Sequence, residues 1–188
     1  MPAIASGGVG SRHVAARWRR WNVVGVAVVA LFAAACSDDD ATGPDASVEE
    51  QRAFIDGIVP HHQMAGMMAD EAIAKAVHAR LRMIAQMRKT DQNRENEQHK
   101  DIREQLLGSE DTPDPMMMQP IPAGSDFDRQ WLIMMIEHHQ GAIDMSTLAH
   151  GSNVRSTLDS LAHYTIEEQK KEQQDMRDSL RVWYGTSN

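Results

Sequence analysis

Cysteine occurs once in 188 residues, at Cys36. A single thiol cannot close an intramolecular disulfide or build a thiolate cage for a metal. Long apolar runs are also missing. The longest, residues 23–35, holds 13 apolar or Gly residues, whereas a membrane-spanning helix needs roughly 20. Basic charge is scarce in the body of the chain. Residues 1–35 carry four Arg and no acid, and the remainder has 15 basic against 27 acidic residues, a formal charge of −12. Such a body argues against nucleic acid as a partner and is compatible with attracting cations, although acidity also serves plain solubility. No His has Glu three residues before it, which counts against the Glu-x-x-His pattern of di-iron bundles. No Cys-x-x-Cys-His exists for covalent haem attachment. Nucleophile elbow, phosphate loop and zinc-protease motif are absent too, so nothing compels an enzyme.

What is present begins with an export signal. An Arg-rich stretch at residues 11–22 precedes the apolar run and a small-residue exit, Leu31-Phe32-Ala33-Ala34-Ala35-Cys36. The exit resembles a bacterial lipobox, with Ala33 where Leu is commoner. The resemblance implies cleavage before Cys36, lipidation of that Cys, and an envelope protein held on a membrane face. The alternative is an ordinary signal peptide with an incidental Cys. Residues 36–46 are polar and read as a disordered tether.

Residues 47–184 show helical periodicity, and 185–188 are a short tail. Ser47-Val48-Glu49-Glu50 fits a capping box that opens a first helix reaching about residue 76, with a bend expected at Pro60. A second helix is expected over 79–107, stopped by Gly108, with its charged later part solvated. Residues 110–124 hold four Pro and Met116-Met117-Met118, and read as a long crossing loop. The Met run is either an accessory soft-metal site or simple packing. A third helix runs from Ser125-Asp126-Phe127-Asp128 to about His150, and a fourth over roughly 153–184.

The two halves echo each other. Pro60-His61-His62-Gln63 with Met68 matches Glu137-His138-His139-Gln140 with Met145. Each half reads as a helical hairpin, and two hairpins make an all-α, up-down-up-down four-helix bundle. In that arrangement helices one and three lie diagonal and parallel, and both His pairs look inward at one depth. Four inward imidazoles need partners, and a transition metal would supply them. Imidazole suits copper, zinc, iron and nickel, while thioether favours Cu(I). Met68 and Met145 follow their histidines by seven residues, and Met64 lies one turn from His61. Core packing is the other reading of these methionines.

Asp126-Phe127-Asp128-Arg129 followed by Met135-Ile136-Glu137-His138-His139-Gln140-Gly141-Ala142-Ile143-Asp144-Met145 closely resembles the core motif of the domain of unknown function 305 family. Phe54-Ile55-Asp56-Gly57-Ile58-Val59-Pro60-His61-His62-Gln63 resembles it again, and Gln169-x-x-Glu172-x-x-x-Met176 is similar to its closing-helix pattern. The resemblance implies a ferritin-like bundle, exported, with copper binding among some relatives. It carries over His61, His62, Met68, His138, His139 and Met145 as ligands, with Gln169, Glu172 and Met176 standing behind them. Two departures follow. Glu137 stands where the family has Pro. In the first half the closing pattern reads Glu95-x-x-Gln98-x-x-x-Ile102, with the acid and amide exchanged and the Met lost. The expectation is a lipid-anchored envelope protein that binds copper, as Cu(I) before other transition metals, for sequestration or transfer. A structural or interaction bundle without metal, and a metal or haem redox protein, are the rival readings.

Overall fold

The computed structural model describes residues 48–115, 117–118, 120–121, 126–150 and 155–186. The export segment, Cys36, the tether, Ser47, Met116, Ser125, Gly151 and the last two residues of the tail lie outside the described residues.

The described residues form four helices: α1 Val48–Lys75, α2 Ala79–Leu107, α3 Phe127–Ala149 and α4 Ser156–Tyr184. Buried positions recur every three or four residues in each, which gives one buried stripe per helix. In α1 that stripe runs Ile55, Ile58, His62, Ala65, Ala69, Ala72. Helix α1 continues through Pro60, which is itself buried. Both α2 and α4 end on a glycine in the left-handed region, Gly108 at φ 71° and Gly185 at φ 70°. Each donates its N–H back into the last turn, to Glu104 O and Arg181 O respectively.

The bundle of two hairpins stands, but its winding differs from up-down-up-down. Helix α1 packs directly on α3, while α1 and α4, and α2 and α3, scarcely touch. The indole N–H of Trp131, early in α3, donates to the carbonyl of Met68, late in α1, at 2.7 Å. At the other end Met145, late in α3, lies against Gly57, early in α1. The two helices are therefore antiparallel neighbours, not parallel diagonals. The connection of residues 108–126 permits this. Its 19 residues can extend about 60 Å, more than the roughly 44 Å of a 29-residue helix, so α3 can start back at the far end of α2. A two-fold axis that relates antiparallel helices must cross them, rather than run along the bundle.

That two-fold shows in the helix starts. The backbone N–H groups of Val77 and His78, at the start of α2, donate to the Asp128 carboxylate of α3 at 2.9 and 2.7 Å. Seventy-seven residues on, the Arg155 N–H at the start of α4 donates to Gln51 Oε1 of α1 at 3.3 Å. Each hairpin caps the other's second helix. The α1–α2 turn has no side-chain cap of its own because its cap is fifty residues away. Asp128 sits in the first turn of α3 and serves α2.

Polar residues also enter the core from the charged part of α2, contrary to a solvated stretch. Gln92, Glu95, Asn96, His99 and Arg103 are all buried, at i+3 and i+4 spacing. Two apolar clusters flank this polar band. The larger contains Met68, Leu81, Trp131, Leu132, Met176 and Leu180. The smaller contains Ile55, Ile58, Val59, Ala142 and Leu158. Of the methionine run, Met117 is exposed and Met118 packs on the larger cluster.

Candidate metal centre

His61 and His138 meet where α1 crosses α3, with ring centroids 3.7 Å apart. His62 and His139 sit one residue further round and are fully buried. Each reaches a carboxylate on the other helix of its own hairpin. His62 Nε2 lies 2.8 Å from Glu95 Oε2 and His139 Nε2 lies 2.7 Å from Glu172 Oε2. A fifth imidazole, His99 of α2, stands edge-on to His62 at 5.7 Å. The rings form a row: His99, His62, His61, His138, His139, with successive centroids 5.7, 6.1, 3.7 and 6.3 Å apart.

The proton positions follow from the partners. His62 and His139 donate Nε2–H to carboxylates. His138 donates Nε2–H to the His61 carbonyl at 3.0 Å, and His99 donates Nδ1–H to the Glu95 carbonyl at 2.8 Å. In His62, His99 and His138 the remaining nitrogen is a lone pair, buried and without a protein hydrogen-bond partner. Nδ1 of His61 is also buried and unpartnered, and Nδ1 of His139 is buried near the Met135 carbonyl of the preceding turn without hydrogen-bond geometry. Burial disfavours the charged form of four of these rings. It holds His99 and His138 down at about 3, in each case with His62 next among the causes. Burial also pushes His61 and His139 well below the usual imidazole range, with His138 next among the causes for both.

Not every expected group joins this row. Because α1 and α3 run in opposite directions, Met68 and Met145 leave it on opposite sides. Met68 lies in the larger apolar cluster and Met145 against the smaller. Met64 is half-buried against the larger cluster. Met176 and Gln169 are fully buried, and the Gln169 amide has no protein partner. Glu172 holds His139 and also pairs with buried Arg88 of α2. Among the described residues, no three or more His, Cys, Asp and Glu side chains are already arranged around one point.

His99 and Arg88 have no place in the sequence reading and Glu95 stands there in the wrong register, which explains Glu95 and His99. Glu95 was aligned with Gln169, a 74-residue offset. The His–Glu pairs, the caps and the C-terminal glycines all repeat at 77. At that offset Gln92-x-x-Glu95-x-x-x-His99 matches Gln169-x-x-Glu172-x-x-x-Met176. The acid and amide are not exchanged, and the Met is replaced by His99.

A family model for a domain of unknown function, DUF305, matches residues 97–180. CopM in its silver-bound form is 31% identical, covering 71% of this chain and 97% of its own, with a TM-score of 0.65. The chain belongs to the DUF305 family. CopM in Cu(I)-bound and Cu(II)-bound forms matches this DUF305 chain at 30% and 32% identity with a TM-score of 0.62 in both cases. Those forms also cover 71% of this chain, and 97% and 98% of their own. A DUF305 fragment from Deinococcus radiodurans, 21% identical with a TM-score of 0.59, covers 73% of this chain and 98% of its own, and shares the fold. No curated protein matches the chain.

In this DUF305 bundle the residue after the second His-His-Gln is a packing device. A Cβ on Gly141 would lie 2.9 Å from His61 Nε2, too close for the ring to stay. Gly141→Ala should displace His61 and destabilise the protein by about 1–3 kcal/mol. A Cβ on Gly57 would meet Met145 Sδ at an ordinary 3.6 Å. Gly57→Ala should stabilise by up to about 1 kcal/mol through helix propensity. Urea unfolding of the two variants checks the opposite signs.

Proposed function

We propose that this protein binds copper, Cu(I) foremost, through buried histidine and methionine side chains. It acts as a lipid-anchored protein of the cell envelope that sequesters or hands on the ion rather than as an enzyme. The observation that carries the reading is the set of five buried imidazoles with an unpartnered nitrogen. Leaving a buried acceptor unmade costs about 1–3 kcal/mol each, and a borderline-to-soft ion is the partner that uncharged imidazole and thioether favour. Four of the five have the other nitrogen fixed on a carboxylate or carbonyl, the arrangement that orients a ligating histidine. The copper-bound and silver-bound forms of CopM support the same ion class. The Arg-rich, apolar and Cys36 sequence supports the envelope and the anchor.

His61, His62, His138 and His139 would hold the ion, with His99 beside them; Met64, Met68 and Met176 on one side and Met145 on the other flank the band from the apolar clusters. Bound copper supplies no chemistry in this role; it is cargo. The chain's own residues exclude water, and the carboxylates and carbonyls behind four of the imidazoles orient those rings. Purified protein should bind Cu(I) near stoichiometrically in competition with a chromophoric chelator. Changing all four histidines of the two pairs to Ala should abolish that binding. Unchanged uptake by the fourfold variant would overturn the site.

A second reading has one observation behind it. The His62–Glu95 and His139–Glu172 contacts each bridge two helices without any ion, so the band could serve as polar fasteners in an interaction module. The thermal midpoint separates the two, since an ion that binds only the folded state must raise it. No rise at saturating Cu(I) favours the fasteners.

A further inference from the structure

The two-fold relates the halves, yet two of its related pairs differ in residue and a third, Glu95 and Glu172, differs in partners. His99 occupies the position that Met176 holds in the second half, and both are fully buried. Arg88 occupies the position of Thr165, also buried. Arg88 pairs with Glu172 across the α2–α4 contact. By the same symmetry Thr165 is placed toward Glu95, and it brings no charge. The carboxylates accordingly differ. Glu172 uses one oxygen on His139 and the other on Arg88. Glu95 uses Oε2 on His62 and leaves Oε1 without a protein partner. Arg88 feels Glu95 as well, but only at longer range than its contact with Glu172.

From this we infer that the two halves form inequivalent copper positions: the His62–His99–Glu95 half takes Cu(II), and the His139–Met176 half takes Cu(I). The inference rests on the copper reading above. Two independent properties point the same way. Donor softness is the first. The first half offers two buried imidazole nitrogens, Nδ1 of His62 and Nε2 of His99, while the second replaces one of them with a thioether. Imidazole accepts either oxidation state, whereas thioether selects Cu(I). Charge is the second. The Glu95 carboxylate is unneutralised at contact distance and favours a dication. The Glu172 carboxylate is paired with a guanidinium, so that half is close to neutral and favours the less charged ion. His61 and His138 stand between the halves and belong to both.

The experiment titrates the purified full chain with Cu(II), read by electron paramagnetic resonance, and separately with Cu(I), read against a chromophoric chelator. The unaltered protein should show one Cu(II) with nitrogen hyperfine structure from imidazole. His99→Met should weaken that Cu(II) at least tenfold and leave Cu(I) uptake undiminished. Met176→His should add a second Cu(II) of similar spectrum. The second variant keeps the test alive if the first is poorly folded, which circular dichroism would reveal. Copper uptake by the unaltered protein with a spectrum and stoichiometry that neither variant alters overturns the inequivalence alone. Failure of the unaltered protein to take up either ion overturns the copper reading itself, and this inference with it.

Discussion

Replacing Glu172 with Ala should lower the unfolding free energy of the metal-free protein by about 3–5 kcal/mol, the range for breaking one partner out of a buried ion pair. The loss has two parts. Arg88 is only 6% exposed, and without Glu172 its remaining close acid is Asp91 at 4.0 Å. His139 loses the acceptor for its Nε2–H at the same time. The related change Glu95→Ala removes only the acceptor of His62, and no contacting cation is orphaned. Its cost should be about 1–3 kcal/mol. The pair of variants is thus an internal control, because the two positions share backbone, burial and histidine partner. Replacing Arg88 and Glu172 together with Met and Leu should recover the part of the loss that comes from stranding Arg88, since well-packed apolar residues often match a buried pair, and leave the part that comes from the His139 Nε2–H. Urea unfolding with unchanged slope measures all three. Equal costs at 95 and 172 would show that Arg88 does not depend on Glu172.

Acidification should destabilise the metal-free protein steeply from about pH 6.5 downward. The folded state holds His99 and His138 at about 3, while the unfolded chain protonates near 6.5. A depressed imidazole favours the folded state fully only above the unfolded value. As pH falls below it the unfolded state takes up protons that the folded state refuses, so stability falls, and goes on falling to about pH 3. At pH 5 each of these two histidines costs about 2 kcal/mol relative to pH 7.5. His61 and His139 shift the same way through burial and their neighbouring imidazoles, and add to the loss. Protons also compete for the same nitrogens as copper, so affinity should weaken over the same interval. Unfolding curves at pH 7.5 and 5.0 give the measurement. A midpoint that does not move would mean that the rings are hydrated rather than buried and neutral.

The helices were legible because their signals are local. Gly108 ends α2 by its own backbone freedom, and the expected 79–107 is the observed helix. The inward His pairs were legible from 3.6-residue periodicity alone. The direction of α3 was not. A 19-residue connection reaches either end of α2, and the decision lies in contacts such as Trp131 to Met68 that no spacing encodes. That one reversal also moved Met68 and Met145 apart. His99 is hidden because the chain also matches itself at Asp101-Ile102-Arg103 and Asp175-Met176-Arg177, an offset three residues short of the structural repeat. The buried helix register, which places Glu95 on His62 and Glu172 on His139, resolves the two offsets. Which nitrogen of each ring carries the proton lies beyond sequence altogether, because it depends on an acceptor from another turn or another helix.

The exchange of caps between hairpins bears on how the protein comes apart. The N–H groups just ahead of α2 are held by Asp128 of the second hairpin, and the one just ahead of α4 by Gln51 of the first. Either hairpin, cut free, would expose both the apolar face of its first helix and the bare start of its second. Fraying therefore cannot stop at the boundary between the halves. Heat or urea should take all four helices through one transition, and a chain nicked between the hairpins should hold together until both melt.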